Sequence, residues 1–100
     1  MSTVTTAIVA ELIAADGKEQ EVADFLAGAL PLAQAEEATI VWFALRTDEK
    51  TFWIVDAFPD AEGRQAHLDG DIAAALMASA DELLAEPPRI LPADVLAAKL

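Results

Sequence analysis

Residues 39–58, TIVWFALR-TDEK-TFWIVDAF, place two apolar runs around one short polar stretch, and no other part of the chain restricts the fold as much. Each run is rich in β-branched and aromatic residues (Ile40, Val41, Trp42, Phe43; Phe52, Trp53, Ile54, Val55), and the stretch between them has the length of a tight connection. The segment therefore reads as a β-hairpin. With a two- or four-residue loop, even-numbered positions of the first strand share a face with odd-numbered positions of the second. One face then carries Ile40, Trp42 and Ala44 beside Trp53, Val55 and Ala57, and the other carries Val41, Phe43 and Leu45 beside Phe52, Ile54 and Phe58. Both faces are apolar. An antiparallel hairpin with one wet face alternates apolar and polar residues, so this one needs cover on both sides.

The chain has limited means to supply that cover. Its 100 residues make one domain, 1–100, with a core but no room for a second. Hydrophobic residues make up 55% and charged ones only 24%, and much of the apolar share is alanine, which suits helices packed closely on a sheet and excludes disorder. A formal net charge of −12, with six Lys and Arg, opposes phosphate backbones and anionic membrane surfaces, so nucleic acid and membrane are not expected as partners. Without cysteine there is no disulfide framework or thiolate site, and one histidine does not build a zinc site. No apolar run reaches the roughly 18 residues of a membrane span, and Met1 to Thr6 has no basic start before an apolar stretch. A cytoplasmic location is the default expectation.

Taken in order, Val4 to Ala15 alternates as a strand, with Val4, Thr6, Ile8, Ala10 and Leu12 on one face and Ala7, Val9 and Ile13 on the other. Asp16-Gly17 breaks it. Lys18 to Leu30 has the apolar stripe of a helix, with Asp16 as the expected cap and Glu19 and Glu21 at its positive start. Pro31 kinks that helix or ends it, with a restart as a short turn through Ala35. After the hairpin, Asp60 is placed to cap a short helix that Gly70 ends. Asp71 is expected to cap a third helix, striped by Ile72, Leu76, Ala80 and Leu83 and stopped after Glu86 by Pro87-Pro88. A last strand, Ile90 to Leu100, contains Pro92 and so belongs at an edge or a bulge.

The order β-α-β-β-α-α-β is that of an α+β, ferredoxin-like split βαβ fold, a four-stranded antiparallel sheet with helices on one face. The second face stays uncovered. At about 1.5–3 kcal/mol per large apolar side chain, leaving it wet forfeits a substantial stabilisation, and such a patch on a monomer is itself an association site. A symmetric homodimer joining two sheets face to face answers both problems.

At Ile54 to Met77, IVDAFPDAEGRQAHLDGDIAAALM, the chain resembles the antibiotic biosynthesis monooxygenase family of dimeric α+β barrels. That family's pattern is a strand ending in an acidic residue, one spacer and an aromatic, then a helix start and a histidine, and Asp56, Phe58 and His67 match in order and spacing. WFALR (Trp42 to Arg46) and DVLAAKL (Asp94 to Leu100) also look like this family, so the resemblance covers nearly the whole chain. It implies a dimeric α+β barrel whose closing strand, with Val95, Leu96 and Leu100, reaches onto the partner or completes the sheet edge. Relatives include cofactor-independent quinol or anthrone oxygenases, haem-degrading enzymes and small proteins of no assigned activity. In the haem branch a tryptophan stands in the place of His67 and the ligating histidine in that of Met77; this chain departs at both positions.

The oxygenase branch implies no cofactor. A deprotonated electron-rich aromatic (quinol, phenol or anthrone-like) itself reduces O₂, in a dry apolar pocket with a base near neutral pKa. His67 is the only side chain whose unperturbed pKa suits that base; the other reading is an exposed helix histidine that braces the turn at Asp69 to Asp71 and adds little to stability. Asp56 either orients His67 or a substrate hydroxyl, or bonds backbone N–H groups at the next helix start. Phe58, Trp42 and Trp53 are candidate substrate-binding aromatics, although Trp42 and Trp53, two large aromatics on such a sheet, are in the more usual reading packing. Arg46 and Arg64 are scarce cations that either hold a phenolate or pair with surface carboxylates. A dimeric small-ligand-binding or interaction module without catalysis fits the same residues.

Overall fold

Four strands, β1 (Thr6–Ile13), β2 (Val41–Arg46), β3 (Thr51–Phe58) and β4 (Arg89–Asp94), form one antiparallel sheet in the order β2-β3-β1-β4, in a computed structural model that describes residues 4–100. What the sequence says of Met1 to Thr6 as a leader lies in part outside the described residues. Helices α1 (Glu19–Gly28), α2 (Leu30–Ala35), α3 (Ala61–Leu68) and α4 (Asp71–Leu83) cover one face of the sheet. This is the ferredoxin-like α+β arrangement expected from the order of elements. Among the described residues no helix is long and apolar enough to cross a membrane.

The hairpin register differs from expectation by one residue. Arg46 pairs with Phe52, so five residues, 47–51, make the turn. Its own hydrogen bonds explain the extra residue: the Arg46 guanidinium donates to the carbonyls of Asp48 and Glu49, the Asp48 carboxylate accepts from the Lys50 and Thr51 N–H groups, and Thr47 N–H donates to the Thr51 carbonyl. Even positions of β2 therefore share a face with even positions of β3. Trp42 and Ala44 lie with Phe52, Ile54, Asp56 and Phe58, while Val41, Phe43 and Leu45 lie with Trp53, Val55 and Ala57.

On β1 the even residues face inward as expected, and Ile8, Ala10 and Leu12 are buried. They meet Phe52 and Ile54 from β3, Val22 and Leu26 from α1, and Leu76 and Ala80 from α4. Each large side chain buried there contributes about 1.5–3 kcal/mol. Among the described residues no helix lies over the odd face. Phe43 is 56% exposed, Leu45 45% and Leu91 39%, with Val9, Trp53 and Val55 between them half-buried. The sheet thus keeps one apolar face uncovered within the chain.

The helix boundaries show where tertiary contacts override local signals. Asp16 does not cap α1; it pairs with Lys50 across the sheet end, and Lys18 holds the cap position without a side-chain capping bond. Pro31 ends α1 at Gly28 and sits in the first turn of α2, where a missing N–H costs nothing. Asp60 caps α3 as expected, accepting from Gly63 N–H at 2.8 Å. Gly70, extended, takes the cap position of α4 and leaves Asp71 inside the first turn, where its charge still complements the helix start. That helix ends at Leu83 rather than Glu86, because Ala15 N–H donates to the Leu83 carbonyl, Ala85 N–H donates to the Ile13 carbonyl, and Leu84 is buried opposite Ala14. Strand β4 lies at the sheet edge with Pro92, as expected, but stops at Asp94. Its neighbour runs out there, the Val95 N–H donating to the Thr5 carbonyl being the last link, and Leu96 and Leu100 stand 96% and 70% exposed.

Candidate functional site

Asp56 occupies an even position on β3, so strand alternation aims its carboxylate under the helices, where it is only 1% exposed. Helix α3 starts just after β3 and brings His67 back over that strand. Two glycines let the segment between α2 and β2 come close to α3. A Cβ on buried Gly63 would stand 3.1 Å from Ala38 Cβ, and one on Gly70 would stand 3.0 Å from Glu36 Oε2. His67, 7% exposed, is thereby held between two carboxylates. Its Nδ1 lies 2.5 Å from Glu36 Oε1 and its Nε2 lies 2.9 Å from Asp56 Oδ2. Thr39 Oγ1 donates to the same Glu36 oxygen at 2.8 Å, and the Phe58 ring packs on the imidazole with centroids 5.4 Å apart.

Burial of the ring opposes its charge, but contact with the carboxylates of Asp56 and Glu36 outweighs burial and raises the His67 pKa from 6.5 to about 9. His67 is a cation near neutral pH. The expectation of a free base near neutral pKa is corrected, as is that of an exposed histidine: the ring is buried, paired on both nitrogens, and does not reach the turn at Asp69 to Asp71. Asp56 meets His67 through Oδ2 alone, and its Oδ1 has no hydrogen-bond partner among the described residues. The next helix start is capped by Asp60, not by Asp56.

Asp56 and His67 border a cavity of about 30 Å³ whose other walls are apolar, among them Ile8, Ile54, Ile72 and Ile90. That is room for about one water. A larger hollow, of about 210 Å³, lies apart from it between α1 and the end of β2, beside Phe52 and Arg46. The two carboxylates sit on opposite nitrogens of one ring and do not converge, and no group of three or more metal-ligating side chains is placed to hold an ion among the described residues.

The sheet brings Asp56, His67 and Phe58 together and sets Trp42 across from Asp56, packed on Ala29, Ala33 and Ile72. It does not bring in the others. Trp53 lies on the uncovered face, its indole N–H donating to Thr47 Oγ1 at 2.9 Å. Arg64 reaches the carbonyls of Ala7 and Ala93, and Arg46 bonds the hairpin turn and lies over the Phe52 ring at 4.9 Å. Neither arginine makes an ion pair with a carboxylate among the described residues. Glu36 is the site residue that the sequence did not mark, because its partner lies 31 positions away and only the close approach at Gly63 and Gly70 joins them.

The chain is similar over nearly its whole length to solved structures. The crystal structure of the NE2512 protein of unknown function from Nitrosomonas europaea is 54% identical, with a TM-score of 0.96 over 98% of this chain and 95% of that one. The PA3566 structure from Pseudomonas aeruginosa is 20% identical, with a TM-score of 0.80 over 97% and 98%. A second Nitrosomonas europaea structure, assigned provisionally as an antibiotic biosynthesis monooxygenase, is 13% identical, with a TM-score of 0.83 over 92% and 99%. At such identities the last two speak for the fold alone. No family model and no curated protein matches the chain.

Proposed function

Because the chain belongs to the family of the NE2512 protein from Nitrosomonas europaea, and shares its fold with a structure assigned provisionally as an antibiotic biosynthesis monooxygenase, we propose that it is a cofactor-independent monooxygenase of a small aromatic, a phenol, quinol or anthrone. One observation carries this reading: the buried Asp56 carboxylate borders an apolar cavity with one oxygen free of hydrogen-bond partners among the described residues and an imidazolium on the other. Such a carboxylate accepts the proton of a substrate hydroxyl, and the adjacent cation stabilises negative charge as it forms. The roles therefore differ from those first expected, with Asp56 as the base, His67 as the charge partner and Phe58 packed behind the imidazole ring. Trp53 and Arg64 are left to packing.

The resulting phenolate passes one electron to O₂, and the ring radical and superoxide combine to a hydroperoxide that loses water. One phenol and one O₂ thus give one quinone and one water. Admission of a ring to so small a cavity requires outward movement at its rim, where Ile90 is 41% and Leu68 36% exposed. We further propose that a second copy covers the open sheet face, with the segment after Asp94 reaching onto it.

The test is O₂ uptake by chelator-treated protein with anthrone, quinol and phenol panels. Equimolar uptake, lowered about 10²–10⁴-fold in a folded Asp56→Asn variant, is the expected result. No turnover above background with any of them turns the reading to a dimeric small-ligand-binding or interaction module.

A further inference from the structure

His67 has an acceptor on each ring nitrogen, and this decides more than its orientation. A neutral imidazole carries one N–H, so it satisfies one carboxylate and sets a lone pair against the other; only the doubly protonated ring donates to both. We propose that Glu36 is a positioning residue for the oxidation, fixing through Nδ1 both the orientation and the charge of His67 so that a cation stays beside Asp56 at the cavity. This rests on the reading of that cavity as the reaction site.

The surroundings fit that role. Glu36 does not line the cavity itself and acts through the ring that does, at 2.5 Å. Its carboxylate is held in place from two sides. Thr39 donates to Oε1, and Gly70 leaves space for Oε2 that a methyl group would close to 3.0 Å. The charged groups facing the ring are Asp56 from β3 and Glu36 from the segment before β2, while α4 presents Ile72, Ala73 and Leu76 to the cavity. Without Glu36, a neutral ring protonated on Nε2 satisfies Asp56, and a proton on Nδ1 has lost its acceptor, so only the charge of Asp56 still favours it.

The chain has one histidine, so ¹⁵N-histidine labelling gives a single ring to follow by NMR. In wild type both ring nitrogens should be protonated near neutral pH, with a midpoint near 9. In Glu36→Gln the midpoint should fall by about one pH unit or more toward the free value of about 6.5. Gly70→Ala, which crowds Glu36 without removing charge, should move it in the same direction and serves as the readout if Glu36→Gln fails to fold, while Glu36→Asp should recover part of the shift. A midpoint unchanged in the folded variants overturns the proposal. In O₂ uptake the alkaline limb of the pH profile should move with the NMR midpoint, and a limb that stays while the midpoint moves also overturns it. If wild type shows no uptake at all, the oxygenase reading fails by itself, and the NMR result still reports whether Glu36 sets the charge of His67.

Discussion

Trp42 and Asp56 stand directly opposite each other on β2 and β3, on the face covered by helices, and each has a buried polar atom with no hydrogen-bond partner among the described residues. Their energetic roles nevertheless differ. Trp42→Phe keeps an apolar ring against Ala29, Ala33 and Ile72 and removes a donor that bonds nothing among the described residues. Its expected cost in urea unfolding is about 1 kcal/mol or less. A loss above about 3 kcal/mol would mean that the indole N–H has a partner in solution.

Removal of His67 is a different case. The ring is buried, and His67→Ala leaves Asp56, 1% exposed, without its counter-charge. Breaking a buried pair from one side costs about 3–5 kcal/mol, so the melting temperature should drop by well over about 10 °C for a domain of this size. A melt within a few degrees of wild type would show that the ion pair does not persist in solution.

The same pair makes stability depend on pH in a defined direction. The folded pKa of His67, about 9, lies above the ordinary 6.5, so the folded state binds the proton more tightly. Its stabilisation is complete below pH 6.5 and is lost as pH climbs through 9. The loss is on the order of 3 kcal/mol. Urea midpoints across this range should fall for wild type and fall much less for His67→Gln; a midpoint constant across the window would rule out the raised pKa.

Phe43 and Leu45 on β2 are exposed beside Val55 and Val9 on the open face. If a second copy covers that face, Phe43→Glu places a charge in its middle and should turn a dimer into a monomer in sedimentation equilibrium at micromolar concentration. A wild-type protein that sediments as a monomer under the same conditions would remove the proposed interface.

The end of the chain divides into two parts with different expected roles. Strand β4 pairs with β1 and contributes Ile90 to the cavity, whereas Leu96 and Leu100 make little contact within the chain. A chain ended after Val95 should melt as a monomer within about 0.5 kcal/mol of wild type but dimerise more weakly. Ending it after Pro88 should destabilise the fold itself, since β1 loses a ladder. Equal dimerisation by the full chain and the shorter truncation would take residues 96–100 out of the interface.

Much of the fold was legible because its signals are local. The inward face of β1, the break at Pro31, the Asp60 cap and the stripe of Ile72, Leu76 and Ala80 follow from period, breakers and capping chemistry over a few residues. The hairpin register was not, because it depends on how Arg46 and Asp48 fold the turn upon itself, and one added residue exchanges the faces of a whole strand. The end of α4 has a tertiary cause that no local signal carries, the bonding of residues 83–85 to the end of β1. At the site, Asp56, Phe58 and His67 stood out by spacing, but the charge of His67 is set by Glu36, a residue brought in from a distant segment.

The five-residue turn of the hairpin has an optical consequence. By shifting the register it sends the two tryptophans to opposite sides of the sheet, Trp42 under the helices and Trp53 onto the open face, in a chain without tyrosine. Fluorescence from the two indoles should therefore separate two events that a single emission spectrum merges. Trp53, observed alone in a Trp42→Phe background, should blue-shift and lose acrylamide quenching as copies associate on dilution reversal. Trp42, observed alone in Trp53→Phe, should stay silent through that step and change only when the helix layer parts from the sheet.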